Sequence, residues 1–213
     1  ASFINRGGVY AIAGIRGGDE YGENWHQTGM LKHKQNTFDD FIAAGEYLVK
    51  EKYTNTSKLA IKGGSNGGLL IGAVITQRPD LCKAALCLVP LLDMARYHKF
   101  LIARYWIPEY GDPDVKDDLE YILTYSPYHH IRPGTNLPAT MVIPGENDTR
   151  VDPLHAKKFV AALQNNPGQK NPIMLYVHYD SGHGTGKPVS QIIDETMVEW
   201  MFVMNELGMV GKN

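Results

Sequence analysis

Short apolar runs alternate along this chain with longer segments whose apolar positions recur at helical spacing. Continuous apolar runs bounded by turn residues indicate buried strands, and a spacing of three to four residues indicates amphipathic helices. The pattern predicts strands at residues 9–15, 59–62, 84–89, 139–143 and 173–179, and helices at 37–51, 69–76, 153–163 and 189–207. The first of these helices has Asn36 or Thr37 as its expected N-cap.

This alternation predicts a single α/β domain over residues 1–213, with a mainly parallel sheet covered by helices on both faces. Residues 90–137 are irregular and rich in aromatic side chains, so we expect them to shape a pocket. Sites in such sheets form beyond the carboxyl ends of the strands, and polar residues at those ends are therefore the candidates for chemistry.

Ser65 stands between close-packed glycines, in the sequence Gly63-Gly64-Ser65-Asn66-Gly67-Gly68. A serine after a strand and before a helix matches the nucleophile elbow, G-x-S-x-G. Because glycine has no Cβ atom, we expect Gly63 and Gly67 to let the strand and the helix approach each other closely. We also expect the amide of Asn66 to form part of an oxyanion hole. On the pentapeptide alone, a glycine-rich turn with an incidental serine stays open.

Asp148 and His183 each follow another predicted strand, so they are expected on the same rim as Ser65. The order serine, acid, histidine is that of α/β-hydrolases, in which histidine is the base and the acid orients it. Asp152 and Glu146 compete with Asp148 for the acid role. Neither H-E-x-x-H nor C-x-x-C occurs in the sequence, and we expect neither a metal nor a cofactor.

Composition narrows the class of partner. Hydrophobic residues make up 43% of the chain, which is typical of a globular protein. The 21 basic and 23 acidic residues nearly balance, and this balance favours neither nucleic acid nor a membrane as partner. No apolar run approaches the roughly 20 residues of a membrane helix. Cys82 and Cys87 flank a predicted buried strand and are interpreted as core thiols.

The chain resembles the catalytic domain of the prolyl oligopeptidase family of serine peptidases over nearly its whole length. The resemblance lies in residues 15–23 (IRGGDEYGE), 63–70 (GGSNGGLL), 148–151 (DTRV) and 182–188 (GHGTGKP). It implies the α/β-hydrolase fold and cleavage on the carboxyl side of proline in short peptides, with Ser65, Asp148 and His183 as the triad. We expect a cytoplasmic location, and a periplasmic or secreted one stays open.

The same resemblance assigns substrate-binding residues. Trp106 would stack on the substrate proline ring, and Arg150 would donate hydrogen bonds to a peptide carbonyl of the substrate. The remainder of the proline pocket would come from Tyr110, Leu91, Val151 and Asn66.

The chain departs from the family pattern in two respects. Thr149 stands where the family usually has a second aspartate after the acid. The family's upstream Tyr-Gly-Gly-Phe segment, whose tyrosine is the second oxyanion donor, its first strands and its N-terminal β-propeller are not in this sequence. The missing third strand would lie between residues 9–15 and 59–62, so we expect a gap inside the sheet and a need for the rest of a longer protein.

Two alternatives remain open at the level of sequence. An esterase or acylaminoacyl peptidase could use the same scaffold, because fold does not fix the substrate. A hydrolase-like fragment without activity could instead serve as a structural or interaction module.

Overall fold

A parallel sheet forms the centre of the computed structural model, which describes residues 2–179, 181–184 and 188–210. Within these residues it has four strands in the order β1-β2-β3-β4, which are Ala60–Gly64, Ala84–Leu88, Ala139–Ile143 and Ile173–Leu175. All three strand pairs are parallel. The carboxyl ends of the strands therefore share one edge, as the sequence predicts. The strand predicted at 173–179 is shorter than expected and ends at Leu175.

Helices cover both faces of this sheet. In the described residues the α-helices α1 to α8 are Ser2–Asn5, Glu23–Gln27, Gln35–Lys50, Asn66–Gln77, Ile107–Tyr110, Lys116–Leu123, Leu154–Gln164 and Val189–Glu206. The four predicted helices correspond to α3, α4, α7 and α8, each shifted by no more than a few residues. The predicted N-cap of α3 is wrong, because the helix begins earlier and Lys34 occupies that position.

Alternate residues of the strands enter two separate cores. Ala85 and Cys87 of β2 pack with α3, α4 and α7 in the larger core. Ala84 and Leu86 face the other way and pack against α8 in the smaller core. Strands buried on both faces read as continuous apolar runs, which is why the sequence identified them. None of the described helices is both long and apolar enough to cross a membrane.

Cys82 and Cys87 are buried free thiols, as the sequence predicts. Burial raises the pKa of Cys82 to about 12 and raises that of Cys87 as well. Both side chains therefore remain neutral and act as small apolar groups in the core.

The irregular region between β2 and β3 consists of short helical turns rather than a continuous loop. Besides α5 and α6 it contains 3₁₀ turns at Tyr97–Lys99, Ala103–Trp106 and Pro127–His130. Its tyrosines Tyr97, Tyr110 and Tyr125 are buried in the larger core. This segment packs beside α4 and brings aromatic side chains close to the carboxyl edge of the sheet.

Residues 9–15 do not form the predicted buried strand, and that prediction is wrong for the described structure. They have no ladder partner, and the side chains of Val9 and Ile12 are 71% and 86% exposed. A cleft of about 1110 Å³ separates this segment from β1, α3 and α8. An extended segment without a neighbour cannot pair its backbone N–H and C=O groups in a sheet. The cleft lies between the two segments expected to flank a missing strand.

His155 of α7 holds the loop that follows β2. Its Nδ1 accepts hydrogen bonds from the backbone amides of Leu92 at 3.3 Å and Asp93 at 3.1 Å. The residue is only 2% exposed, and burial lowers the pKa of its imidazole from 6.5 to about 4. The ring is therefore a neutral structural acceptor at physiological pH.

This burial predicts a specific pH dependence of stability. Between about pH 6.5 and 4 the unfolded chain binds a proton at His155 that the folded chain does not. The contribution of neutral His155 to the free energy of unfolding is therefore full above pH 6.5 and is lost as the pH falls towards 4. The loss is on the order of 2 kcal/mol by pH 4.5. His155→Asn keeps an acceptor near the Nδ1 position but does not titrate.

We expect the free energy of unfolding, measured by denaturant titration at pH 7 and pH 4.5, to fall by about 2 kcal/mol less in His155→Asn than in the unmodified chain. His33→Asn, at an exposed histidine, is the matched control and should fall like the unmodified chain. An equal fall in all three proteins would contradict the assignment.

Candidate active site

Ser65 occupies a sharp turn between β1 and α4. Its φ of 57° and ψ of −116° are unfavourable for a residue with a side chain. The Ser65 amide donates to the carbonyl of Leu88 at 2.9 Å, and its own carbonyl accepts from the amides of Gly68 and Leu69 at 2.9 and 3.1 Å. The strained conformation is thus held from both sides, and the hydroxyl projects beyond the edge of the sheet.

Close packing around the turn depends on Gly63 and Gly68. A Cβ on Gly63 would lie 2.2 Å from the carbonyl oxygen of Gly67, and one on Gly68 would lie 2.7 Å from Pro90 Cβ. A Cβ on Gly67 would meet no atom within 4 Å. The prediction is therefore right for Gly63 and wrong for Gly67, because Gly67 faces the open cleft.

His183 bridges Ser65 and Asp148. Its Nε2 lies 2.9 Å from Ser65 Oγ, and its Nδ1 lies 2.6 Å from Asp148 Oδ2. The side chain of Asp148 is 1% exposed and that of His183 is 15% exposed. Three residues distant in sequence thus form one continuous hydrogen-bonded line that ends at a partly accessible hydroxyl.

Hydrogen bonds keep Asp148 ionised despite its burial. Burial alone would raise the pKa of this carboxyl, but the hydrogen bond with His183 and the backbone amides of Val151 and Arg150 hold the pKa below its usual value. The two amides donate to Asp148 Oδ1 at 2.9 and 2.8 Å. A buried carboxylate in this position fixes the orientation of the His183 ring.

The two competing carboxylates have other partners. Asp152 Oδ1 accepts a hydrogen bond from the amide of Leu154 at 2.9 Å, at the start of α7. Glu146 pairs with Lys157 at 2.8 Å. Among the three candidates, Asp148 is the one that the described structure places against His183.

The loop bearing His183 is fastened to the loop bearing Asp148. The amide of Asn147 donates to the carbonyl of Ser181 at 3.0 Å, and Asn147 Nδ2 donates to the carbonyl of Tyr179 at 2.8 Å. Gly145 permits this approach, since a Cβ there would lie 2.4 Å from the carbonyl oxygen of Gly182. Backbone contacts, rather than the His183 side chain alone, bring the imidazole to Ser65.

The predicted substrate-binding residues differ in their burial and in their contacts with the elbow and Asp148. Tyr110 Oη donates to Asn66 Oδ1 at 3.0 Å, which attaches Tyr110 to the elbow. Trp106 is half-buried and packs on the larger core, to which the buried side chains of Leu91, Tyr110 and Val151 also belong. The side chain of Arg150 is exposed, while its backbone amide contacts Asp148.

An ion pair behind Tyr110 was not foreseen from the sequence. Lys34 Nζ lies 3.0 Å from Glu109 Oε1, and the side chain of Lys34 is 1% exposed. A lysine in a polar stretch just before a helix is typical of a solvated residue, so no pattern in the sequence identifies its burial.

Only one group of described residues brings potential metal ligands together. Ligand atoms of His98, Asp112 and Asp114 lie within 4.8 Å of one another. Asp114 is already paired with His98 at 3.2 Å and with Lys99 at 3.1 Å. The cationic Lys99 beside Asp114 favours an ion pair over a metal centre at this group.

Comparison with known proteins gives a consistent result. The profile of the prolyl oligopeptidase family matches residues 1–210. A prolyl endopeptidase of Elizabethkingia miricola is 46% identical over 209 residues, which are 98% of this chain and 30% of that relative. A prolyl endopeptidase of Dictyostelium discoideum is 48% identical over 193 residues, which are 89% of this chain and 25% of that relative.

Solved structures agree with this match. A structure from a study of two prolyl endopeptidases superposes with a TM-score of 0.96 at 50% identity, covering 98% of this chain and 31% of that chain. Prolyl oligopeptidase B of Galerina marginata, bound to a 35mer hydrolysis and macrocyclization substrate, superposes with a TM-score of 0.86 at 41% identity, covering 91% of this chain and 28% of that chain. The chain thus spans about 30% of the length of the relatives with which it shares its fold.

The glycine geometry of the elbow gives a matched pair of variants. Gly63→Ala should destabilise the chain by about 2 kcal/mol or more, because the new methyl group would overlap backbone atoms. Gly67→Ala should change stability by less than about 1 kcal/mol, because its methyl group enters open space and alanine favours a helix. Denaturant unfolding measures both, and equal destabilisation would contradict the assigned roles.

Proposed function

Because the chain belongs to the prolyl oligopeptidase family and has the α/β-hydrolase fold, we propose that Ser65 is the nucleophile of a serine peptidase that cleaves after proline in short peptides. The observation that carries this proposal is the hydrogen-bonded line from Asp148 through His183 to Ser65 Oγ. A serine hydroxyl alone is a weak nucleophile, and an adjacent oriented base is what activates it.

The geometry supports an acyl-transfer cycle. His183 Nε2 accepts the Ser65 proton as Oγ attacks the substrate carbonyl, and Asp148 stabilises the imidazolium that forms. His183 then donates that proton to the departing amine, which leaves an ester between Ser65 and the acyl half of the peptide. His183 then deprotonates a water molecule as it attacks the ester carbonyl, and it donates that proton to Ser65 Oγ as the ester bond breaks and the acid product leaves.

The amide of Asn66 is the proposed oxyanion donor. Asn66 is the first residue of α4, and the N-terminus of a helix directs backbone N–H groups at an adjacent anion. Since the chain spans about 30% of the length of its relatives, we propose that the second donor comes from outside these residues.

The proline preference rests on the aromatic wall beside the elbow. This wall consists of Trp106, which is half-buried, and Tyr110, which donates a hydrogen bond to Asn66 Oδ1. The flat indole of Trp106 would stack on the rigid pyrrolidine ring of the substrate with little loss of freedom. Leu91 and Val151 complete an apolar pocket. The exposed guanidinium of Arg150 is available to donate hydrogen bonds to a substrate carbonyl. The names of the relatives support the same preference.

One observation favours a second possibility for the isolated chain. The cleft beside β1 leaves Gly67, one residue from the proposed oxyanion donor, next to open space. Local rearrangement at this cleft would displace the Asn66 amide. The isolated chain would then be an inactive hydrolase-like fragment, while the longer protein is active.

Trp106→Ala tests the substrate assignment. We expect kcat/KM for a peptide with proline before the scissile bond to fall by about 10-fold to 100-fold, because the stacking surface is lost. Hydrolysis of a small activated ester should change by less than about 3-fold, since such an ester does not need the proline pocket. Both rates are measured in this chain and in a longer protein that contains it.

Trp200→Ala is the matched control, because Trp200 lies on α8 and stacks on Phe3. It should leave the ratio of the two rates unchanged. Equal losses of peptide and ester hydrolysis in Trp106→Ala would instead favour an esterase or acylaminoacyl peptidase.

A further inference from the structure

A charged cluster lies directly behind the aromatic wall of the proposed pocket. Glu109 Oε1 accepts from Lys34 Nζ at 3.0 Å, and Glu109 Oε2 lies 2.8 Å from His26 Nε2. Lys34 directly precedes α3, His26 lies in α2 and Glu109 lies in α5. One carboxylate thus joins three separate elements.

Because Lys34 is buried, its ammonium group depends on Glu109 as a partner. Its side chain is 1% exposed, against 21% for Glu109. Burial lowers the pKa of the Lys34 ammonium, and the neighbouring Glu109 opposes that shift. Removing one partner of a buried pair leaves an uncompensated charge, so Lys34 and Glu109 constrain each other's position strongly.

This constraint reaches the pocket through α5. The helix has four residues, Ile107–Tyr110, and begins directly after Trp106. So short a helix has little stability of its own and takes its position from tertiary contacts. Glu109 therefore connects the segment carrying both Trp106 and Tyr110 to α2 and to Lys34 at the start of α3.

Lys34 also contacts Tyr110 directly. Its Nζ lies 5.2 Å from the centroid of the Tyr110 ring, within the range of a cation–π interaction. Tyr97 packs edge-on against the same ring at 5.4 Å. At the far end of the ring, Tyr110 Oη donates to Asn66 Oδ1 at 3.0 Å. The ring is thus held between the buried ammonium and the elbow.

We propose that Lys34 is a positioning residue, which acts through Glu109 and Tyr110 to hold the proline-facing wall in register with the elbow. This inference rests on the proposed function, because it assigns a determinant of the proline preference at that same site. Lys34 does not touch Ser65 or His183 in the line described above. Its loss should therefore impair recognition of proline more than the reactivity of the serine.

The test uses Lys34→Met, which keeps an apolar stem and removes the charge, and Glu109→Gln, which keeps an oxygen acceptor for Lys34. The variants are assayed in a longer protein that contains this chain. Two matched peptides are used, which carry proline or alanine before the scissile bond. Rates are expressed per active site titrated with a small fluorophosphonate, so that an unfolded fraction does not contribute.

We expect the ratio of kcat/KM for proline over alanine to fall by about 10-fold in Lys34→Met and by about 3-fold in Glu109→Gln. The loss should lie mainly in KM, because the wall binds the substrate. The double variant should be no worse than Lys34→Met, since the two side chains act as one unit. The rate of fluorophosphonate labelling should change by less than about 3-fold.

Lys58→Met is the control. Lys58 Nζ donates to the carbonyl of Leu207 from the turn before β1, at the opposite end of that strand from Ser65. It should lower stability without altering the proline-to-alanine ratio.

Two results would overturn the inference. One is an unchanged ratio in the titrated fraction of Lys34→Met, with a lower melting temperature, because the pair would then serve stability alone. If that variant yields no titratable sites, an unchanged ratio in Glu109→Gln overturns it equally. Failure of the proposed function is distinguishable, because the unmodified protein would then show no labelling or no preference for proline.

Discussion

Close contact between β1 and α4 at Ser65 is the constraint on which the site depends. The strand and helix can meet there only because Gly63 has no side chain, and Gly68 in turn lets α4 approach Leu88 and Pro90. Ser65 is held at a positive φ of 57° in this turn. A backbone conformation of this kind costs on the order of 1–3 kcal/mol and persists only where the surroundings impose it. Parallel pairing with β2 holds Ser65 in this conformation, because the Ser65 amide donates a hydrogen bond to the carbonyl of Leu88 at the end of β2.

The same parallel arrangement assembles the other two residues. Asp148 and His183 lie in loops after β3 and β4, at the edge where β1 delivers Ser65. Electrostatics then define their states: Asp148 is buried, yet amides and His183 hold its pKa low. Sheet geometry sets the distances, and local hydrogen bonds set the charge that makes those distances chemically useful.

The sequence predicted the parts of the molecule that have strong local patterns. The buried strands β2 and β3 and the long helices α3 and α8 carry continuous or periodic apolar signals, and Ser65, Asp148 and His183 fall in loops that follow strands. Residues 9–15 carry the same apolar signal as β2 but lack a neighbouring strand, so a strand was predicted where none forms. A pattern of side chains reports the tendency to be buried and does not report whether a partner is present.

Tertiary contacts account for the remaining differences. The sequence could not distinguish Gly67 from Gly68, because their roles depend on whether Pro90 or an open cleft lies opposite. It also gave no sign that Lys34 is buried against Glu109, since that contact joins residues 75 positions apart. Long-range polar contacts of this kind become visible only when the fold is known.

We propose that His183 activates Ser65 and that Asp148 orients His183. The most direct measurement is the rate at which a fluorophosphonate forms an adduct, located by mass spectrometry, in the unmodified protein and in Asp148→Asn. We expect a single adduct on Ser65 that forms at least about 100-fold more slowly in the variant, because the histidine loses its orienting charge. An adduct on another residue, or equal rates in the two proteins, would contradict it.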